Sequence, residues 1–495
     1  MLASFIDHLP RPPPKHEREG VSSPLKLMAS LSAFQWAMFL SGWLAWVGDA
    51  IDFFAMSLST TRLAKEFHHP VGSITLAITL TLLFRPLGAF LFGMASDRYG
   101  RKWPLVANLV IIGSFSLGSG LSRTWPIFLA MRSFFGMAMG GIWGLAVSQG
   151  LENMPVECRG LFSGFLQLGY PVGYLIIASV NLNSTVKQQG NWRYLFYTGA
   201  GFSFACALFR LCLPESAYFR EHKRRQAADL EEQRRRDGPL VDRRSTNRLF
   251  VREFLHMLRS QWLRCLFGIL LMTGMNFYSH GSQDLYPTYL QVGKGFDSRH
   301  TTLATIIGNC GAIVGCAMGG YTSQYLGRRL TIIVFCVFCC CMIPLWLIPT
   351  TFAPLAVGAA MVQAGVQGAY GVIPVYLSEI SPPAFRAMWP GVAYQIGNMV
   401  SSASAQIEAT AGERLKDHVN GRPAYGKVSA ILIAVAAVVI ILCCLVGSES
   451  LGTNFEAQRF QASAPMETDS AKKEDELAED EKPTMVHEEF LGSRS

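Results

Sequence analysis

Apolar runs, each about as long as the roughly 20 residues a helix needs to cross some 30 Å of hydrocarbon, recur along this 495-residue chain. They fall near 34–58, 72–95, 103–121, 125–148, 160–182, 194–213, 263–290, 300–323, 330–349, 352–377, 388–409 and 428–447. In lipid a segment must satisfy its own backbone polar groups, so such runs form helices. Charged residues make up only 16% of the chain, against about 25% in a soluble domain. The expectation is an all-α membrane protein with twelve transmembrane helices in two six-helix, pseudo-symmetric halves. The halves would span 34–214 and 263–447, with a tail at 1–33, a basic linker at 215–262 and an acidic tail at 448–495.

The longest polar stretch between runs, 215–264, is rich in Arg and Lys: Lys223, Arg224 and Arg225, then Arg234 to Arg236, then Arg243 and Arg244. The short loops 97–102 and 327–329 are basic too. Positive loops stay in the cytoplasm, which puts both termini there; the plasma membrane is the expected location. The glycosylation tripeptide Asn183, Ser184, Thr185 then falls in an outer loop. The net charge of +8 reads as a topology signal rather than a nucleic-acid surface. The N-terminal stretch, with Pro12 to Pro14 between Arg11 and Lys15, lacks the basic start, apolar core and cleavage site of a signal peptide. The tail after Gly447 carries Glu474 to Glu476 and Glu479 to Glu481. It reads as a disordered cytosolic segment, with lysines that turnover machinery could use.

The twelve cysteines do not suggest a disulfide scaffold. Most, such as Cys336, Cys339, Cys340 and Cys341, lie inside apolar runs and read as small packing residues. No zinc-type spacing stands out, and no nucleophile–base set, so neither a metal, a cofactor nor an enzyme is expected.

Two loops match each other. Gly93, Asp97, Arg98, Gly100, Arg101 and Lys102 follow the second run; Gly320, Gln324, Gly327, Arg328 and Arg329 follow the eighth. Gly93 and Gly320 are 227 residues apart. A second pair, Glu152 with Arg159 and Glu379 with Arg386, has the same 227-residue offset. Two signatures at one offset argue for a duplicated six-helix unit, and parallel repeats build transporters with the substrate site at the midplane between them. These loops resemble the best-known signature of the major facilitator superfamily. The resemblance implies that the loop and the Glu…Arg pairs latch the cytoplasmic side through charge contacts. Gln324 stands where the first copy has Asp97, which implies a weaker latch in the second half. Arg132, followed by Gly136, Gly140 and Gly141, resembles another motif of the superfamily and fits equally well with close helix packing.

The seventh run is interrupted by Asn276, Ser279, His280, Ser282, Gln283, Asp284 and Thr288. A charge at the bilayer centre costs about 2.5–3.5 kcal/mol even on lenient scales, so intramembrane ionisable residues mark pathways. The repeat offset places Asp49 and Asp52 of the first run at the depth of Asn276 and Ser279. Arg85 interrupts the second run, Gln395 and Asn398 the eleventh, and Gln167 the fifth, near Tyr170 and Pro171. For Arg85 with the aspartates, an ion pair between helices and a functional role both stay open. For Gln167, Gln395 and Asn398, interhelical hydrogen bonds are the alternative.

The pattern from Asn276 to Thr288 resembles the fungal Jen-type lactate/pyruvate–proton symporters of the sialate–proton symporter family, over residues of about 30–450. That resemblance implies substrate contacts from the seventh helix and from Gln395 and Asn398, and substrates such as lactate, pyruvate, acetate, malate or succinate. A carboxylate needs a cation and donors: Arg85 offers a guanidinium fork, and Asn276, Ser279, His280, Gln283, Gln395 and Asn398 surround the rest. Arg85 is expected to pair with Asp49 or Asp52 while the site is empty and to be released when a proton neutralises that aspartate. Asp49, Asp52, Asp284 and His280 are the candidate proton carriers. A sugar or sialic-acid proton symporter on the same scaffold, and a nutrient sensor without transport, are the alternatives.

Overall fold

A computed structural model describes residues 9–14, 22–69, 71–182, 191–216, 254–382, 385–415 and 423–449, with scattered positions between 219 and 252 and at 451. The tripeptide at 183–185, most of the basic linker and the acidic tail lie outside the described residues.

A short helix, Pro24–Ala29, precedes the first span. Helix α1 runs Ala33–Glu66 and opens on a capping box, in which Ser32 and Gln35 satisfy each other's backbone N–H groups. Helix α2 has two segments, Val71–Leu83 and Arg85–Tyr99. Pro86 lacks the N–H that would continue the ladder, so the helix breaks beside Arg85. Helix α3 is Lys102–Leu121; α4 is Trp125–Met139 and Ile142–Leu151, divided at Gly140 and Gly141. Helix α5 is Val156–Gln167 and Gly169–Leu182, and α6 is Arg193–Cys212.

In the second half α7 is Trp262–Gln283, prolonged by a turn at Tyr286–Thr288 and a π-turn at Tyr289–Gly293. Helix α8 is Ser298–Leu326, capped by Asp297 accepting from the His300 N–H, and α9 is Arg328–Leu347. Helix α10 is Phe352–Tyr370 and Ile373–Ile380; α11 is Met388–Ser401 and Ser404–Arg414; α12 is Tyr425–Val446. These twelve spans match the expected runs. The largest difference is α1, which continues to Glu66 rather than ending near 58.

Ten of these stretches are long and apolar enough to cross a bilayer by length and composition. The two that fall short are α7 and α11, the helices that carry Asn276 to Gln283 and Gln395 with Asn398. Their polarity is tolerable because their polar faces turn inward, away from lipid.

The halves meet where α2 packs on α11 and α5 packs on α8. The 227-residue offset carries α2 onto α8 and α5 onto α11, so these two seams are equivalents of one another. Within the first half, α2 and α4 approach so closely that a methyl on Gly88 would strike the Met137 carbonyl and one on Gly140 the Arg85 backbone. The glycines after Arg132 therefore serve close packing. Gly100 and Gly327, equivalent in the repeat, both turn with positive φ, 105° and 86°, a conformation that glycine adopts without penalty.

Candidate functional site: a central polar pocket

Between the halves, a pocket is walled on one side by Phe53, Leu82, Arg85, Gln167 and Tyr170. On the other side stand Asn276, Ser279, His280, Gln367, Tyr370, Tyr394 and Asn398. Arg85 sits at the α2 break, where a helix start next to a proline projects it inward. Its Nη2 faces Met139 Sδ at 2.7 Å, its guanidinium lies 5.2 Å from the Phe53 ring, and its Nε has no hydrogen-bond partner. It is 4% exposed, so its donors are largely unspent. A cation held this way, partly by an aromatic face, is poised for an anion.

Opposite, α7 presents its polar stripe at helical spacing. Asn276 donates to the Met272 carbonyl at 2.9 Å and the Tyr394 carbonyl at 3.3 Å, and its Oδ1 accepts from the Tyr370 hydroxyl at 2.9 Å. His280 Nδ1 meets Asp284 Oδ2 at 3.1 Å, and its Nε2 meets Asn398 Oδ1 at 3.4 Å. Asn398 in turn donates to Gln395 Oε1 at 3.0 Å. A chain from Asp284 through His280 and Asn398 to Gln395 thus links α7 with α11. Both atoms that His280 faces are acceptors, so the ring satisfies both only when each nitrogen carries a proton. Gln283 donates to Ser279 Oγ at 3.3 Å and Gln363 Oε1 at 3.0 Å, and Gln363 donates to Ser282 Oγ at 3.1 Å.

The pocket leads into a larger cavity of about 960 Å³, with which it shares Phe53, Leu82 and His280. Gln283 and Asp284 line this cavity, which also reaches Arg62 and Asn181, Gln291, and Gln406. It therefore extends toward the end of the bundle opposite the 97–102 loop.

That loop end is closed. Asp97 accepts the N–H groups of Ala387 and Met388 at the start of α11, at 3.1 and 2.9 Å. Gln324 donates to the carbonyls of Val156 and Glu157 at the start of α5, at 3.0 and 2.8 Å. Ser163 donates to Gly371 O at 2.7 Å and accepts from Val375 N–H at 3.0 Å. Gly93 packs against Met388.

Inside each half a second set of contacts repeats. Arg101 grips Glu152 through two nitrogens at 3.0 and 2.6 Å and reaches Asp97 at 2.8 Å. Arg328 grips Glu379 the same way at 3.0 and 2.9 Å. Glu215 accepts the N–H groups of Arg101 and Lys102, and Glu449 those of Arg328 and Arg329. Burial alone would lower Arg101; its pairs with Glu152 and Asp97 more than offset this and raise it above the usual arginine range. Burial pushes the Glu449 carboxyl up, and the N–H groups it accepts oppose that. The glutamates thus pair with the loop arginines. Arg159, through Nε, donates to the Met154 carbonyl at 3.2 Å, and Arg386 is buried nearby at the start of α11. Arg98 stays half-buried, 5.6 Å from the Tyr99 ring.

Two expectations change. Arg85 forms no ion pair with Asp49 or Asp52, because the α2–α4 glycine contact draws it toward Met139 and the Phe53 ring occupies its α1 side. Asp49 and Asp52 do not line the pocket either. Asp52 is buried among Ser116 and Ser203, which donate to it, and Gly199. Asp49 is 3% exposed, with one oxygen unpartnered. Arg132 is fully buried against Phe135 and Phe196, 3.9 and 5.5 Å from their ring centres, with Nε and Nη1 unpartnered. Gln395 is buried one bond behind the pocket, and Gln167 Oε1, in its wall, has no partner.

Sequence reasoning missed Phe53, Gln363, Gln367, Tyr370 and Tyr394. The offset could have found two of them, since Tyr394 is the equivalent of Gln167 and Phe53 that of His280. Trp143 and Tyr394 stack across the seam at 4.5 Å.

The sugar (and other) transporter family model matches residues 25–461. A carboxylic acid transporter protein homolog of Saccharomyces cerevisiae is 29% identical over 433 residues, covering 86% of this chain and 70% of its own. The cis,cis-muconate transport protein of Acinetobacter baylyi is 24% identical over 366 residues, 73% of this chain and 84% of its own. Among solved structures, the proton:xylose symporter XylE bound to 6-bromo-6-deoxy-D-glucose aligns with a TM-score of 0.68 at 16% identity, over 87% of this chain and 99% of XylE. That last likeness speaks to the fold alone. The twelve-helix bundle, its duplicated 97–102 and 324–329 loops and the family match agree: the chain is a multi-pass membrane transporter of the sugar (and other) transporter family, within the major facilitator superfamily.

Proposed function

We propose that this transporter carries small carboxylates, such as lactate, pyruvate and acetate and the longer malate and succinate, together with protons across the plasma membrane. The observation that carries this reading is Arg85. It is the arginine that lines the central pocket, its Nε is unpartnered, and amide, hydroxyl and imidazole groups face it from α7 and α11. A neutral sugar would not need that charge. Two relatives whose names give carboxylic acid and muconate transport support the same class.

In this reading the basic loops face the cytoplasm, so the cavity opens outward and the Asp97, Gln324 and Ser163 contacts hold the cytoplasmic side shut. An anion enters from outside, pairs with Arg85 and hydrogen-bonds across to α7 and α11. The proton loads on the His280–Asp284 pair or on Asp49 or Asp52. The halves then rock about the site, breaking the seam contacts on one side and making their equivalents on the other. One proton moving with one monocarboxylate is electroneutral, so the drive is the pH gradient, about 1.4 kcal/mol per unit. Lowering the outer pH therefore raises uptake.

The test is uptake of labelled lactate in cells without other carriers, with and without a protonophore. Uptake that collapses with the gradient and is competed by acetate but not glucose supports the reading. Uptake indifferent to the protonophore removes the proton; competition by glucose alone favours a sugar carrier.

A further inference from the structure

Arg62 lies in the last turns of α1, half-buried, on the wall of the large cavity. Its Nη2 is tied to the Leu58 carbonyl at 3.3 Å and to Asn181 Oδ1 on α5. Nε and Nη1 form no hydrogen bond among the described residues and are left for a ligand. One turn further on, Glu66 is engaged by Arg193 at 2.9 Å, so it does not neutralise Arg62. Tyrosines aside, the other ionisable groups among the described lining residues are His280 and Asp284, which are bonded to each other deeper in the cavity.

Arg62 is nine residues beyond Phe53, whose ring touches the Arg85 guanidinium. At 1.5 Å per residue that is roughly 13 Å between the two backbone positions along the helix. The two arginines thus lie at different depths, Arg62 on the wall of the large cavity and Arg85 in the central pocket. They stand in series, one toward the mouth of the cavity and one at its floor. A cavity with low-dielectric walls and a cation near its mouth focuses the field and raises the local concentration of anions. A conduction path also needs a first site that binds strongly enough to admit the ligand and weakly enough to release it. A half-exposed arginine meets that condition better than the buried Arg85.

We propose that Arg62, oriented by Asn181, is a first docking site for small organic carboxylates, from which the anion passes on to Arg85. This rests on the carboxylate reading above. Uptake of labelled lactate is measured against concentration in Arg62→Gln and Arg62→Lys, at matched membrane abundance, in low and high potassium chloride. For Arg62→Gln the account expects KM to rise about three- to ten-fold with the maximal rate near wild type, because only capture is lost. It also expects the rise of KM with salt, which screening causes in the wild type, to flatten. Arg62→Lys keeps the charge and removes the Nη2 bond to Asn181, and its KM should lie near wild type. A wild-type KM in Arg62→Gln overturns the proposal. So does an Arg62→Lys as impaired as Arg62→Gln, which would make Arg62 only a tie between α1 and α5. A wild type that takes up no carboxylate defeats the functional reading and this site together. Wild-type lactate uptake that Arg62→Gln leaves unchanged defeats this site alone.

Discussion

Asp97, at the end of α2, accepts the backbone N–H of Met388 at 2.9 Å, and so caps the first turn of a helix from the other half. The Ala387 N–H goes to its second oxygen, which also meets Arg101. The equivalent residue, Gln324, reaches the start of α5 by donating to carbonyls. One latch is charged and anchored to an arginine, and the other is neutral.

Hydrogen bonds to a charged group contribute about 1.5–3 kcal/mol and neutral ones about 0.5–1.5. Asp97→Asn should therefore cut uptake by at least about ten-fold, and Gln324→Ala by only a few-fold. Uptake normalised to membrane protein measures both. Equal losses would contradict the asymmetry.

The buried Arg328–Glu379 pair is fully enclosed, with both side chains at 0% exposure. Breaking such a pair by removing one partner costs about 3–5 kcal/mol, whereas replacing both with apolar groups is often neutral. Glu379→Leu should lower the Tm in detergent strongly, and Arg328→Met with Glu379→Leu should recover much of it. A double variant as unstable as the single one would argue against the pair as a stability element.

His280 bridges Asp284 and Asn398, linking α7 to α11 through charged and neutral groups. His280→Gln should reduce proton-driven lactate uptake by about ten-fold or more. Lactate–lactate exchange, which needs no net proton movement, should fall less. Equal loss in both assays would place His280 in substrate binding rather than coupling.

The Tyr370 hydroxyl donates to Asn276 Oδ1 at 2.9 Å and makes no other hydrogen bond among the described residues. Tyr370→Phe removes one neutral hydrogen bond and should raise the lactate KM about two- to ten-fold, with expression unchanged. An unaltered KM would show that Asn276 is held well enough by its bonds to Met272 and Tyr394.

Much of this architecture is legible in the sequence because bilayer helices obey simple rules of length and polarity. The α7 stripe announced itself by being intolerable to lipid; Asn276, Ser279 and His280 line the pocket, and Ser282, Gln283 and Asp284 the larger cavity. The offset that relates Glu152 to Glu379 also relates Arg101 to Arg328, so the paired arginine–glutamate contacts were readable from number alone. Arg85 has no such counterpart, since position 312 is Ala; the repeat points to it only as an exception. Its true neighbours were hidden because Met139 and Phe53 look like ordinary core residues until α2 and α4 close together. The same holds for Tyr370 and Tyr394, whose rings resemble packing groups in a sequence rich in aromatics. Glu215 and Glu449 play one role at an offset of 234 rather than 227, so the arithmetic does not pair them.

The central claim is that the Arg85 guanidinium holds the substrate carboxylate. It is tested by lactate uptake into proteoliposomes containing purified wild type, Arg85→Lys or Arg85→Gln, with an inward proton gradient. Arg85→Gln should lose uptake by about 100-fold or more and Arg85→Lys retain a fraction, since a charged bidentate contact is lost in one and reduced to a point charge in the other. Wild-type lactate uptake by Arg85→Gln would contradict the account.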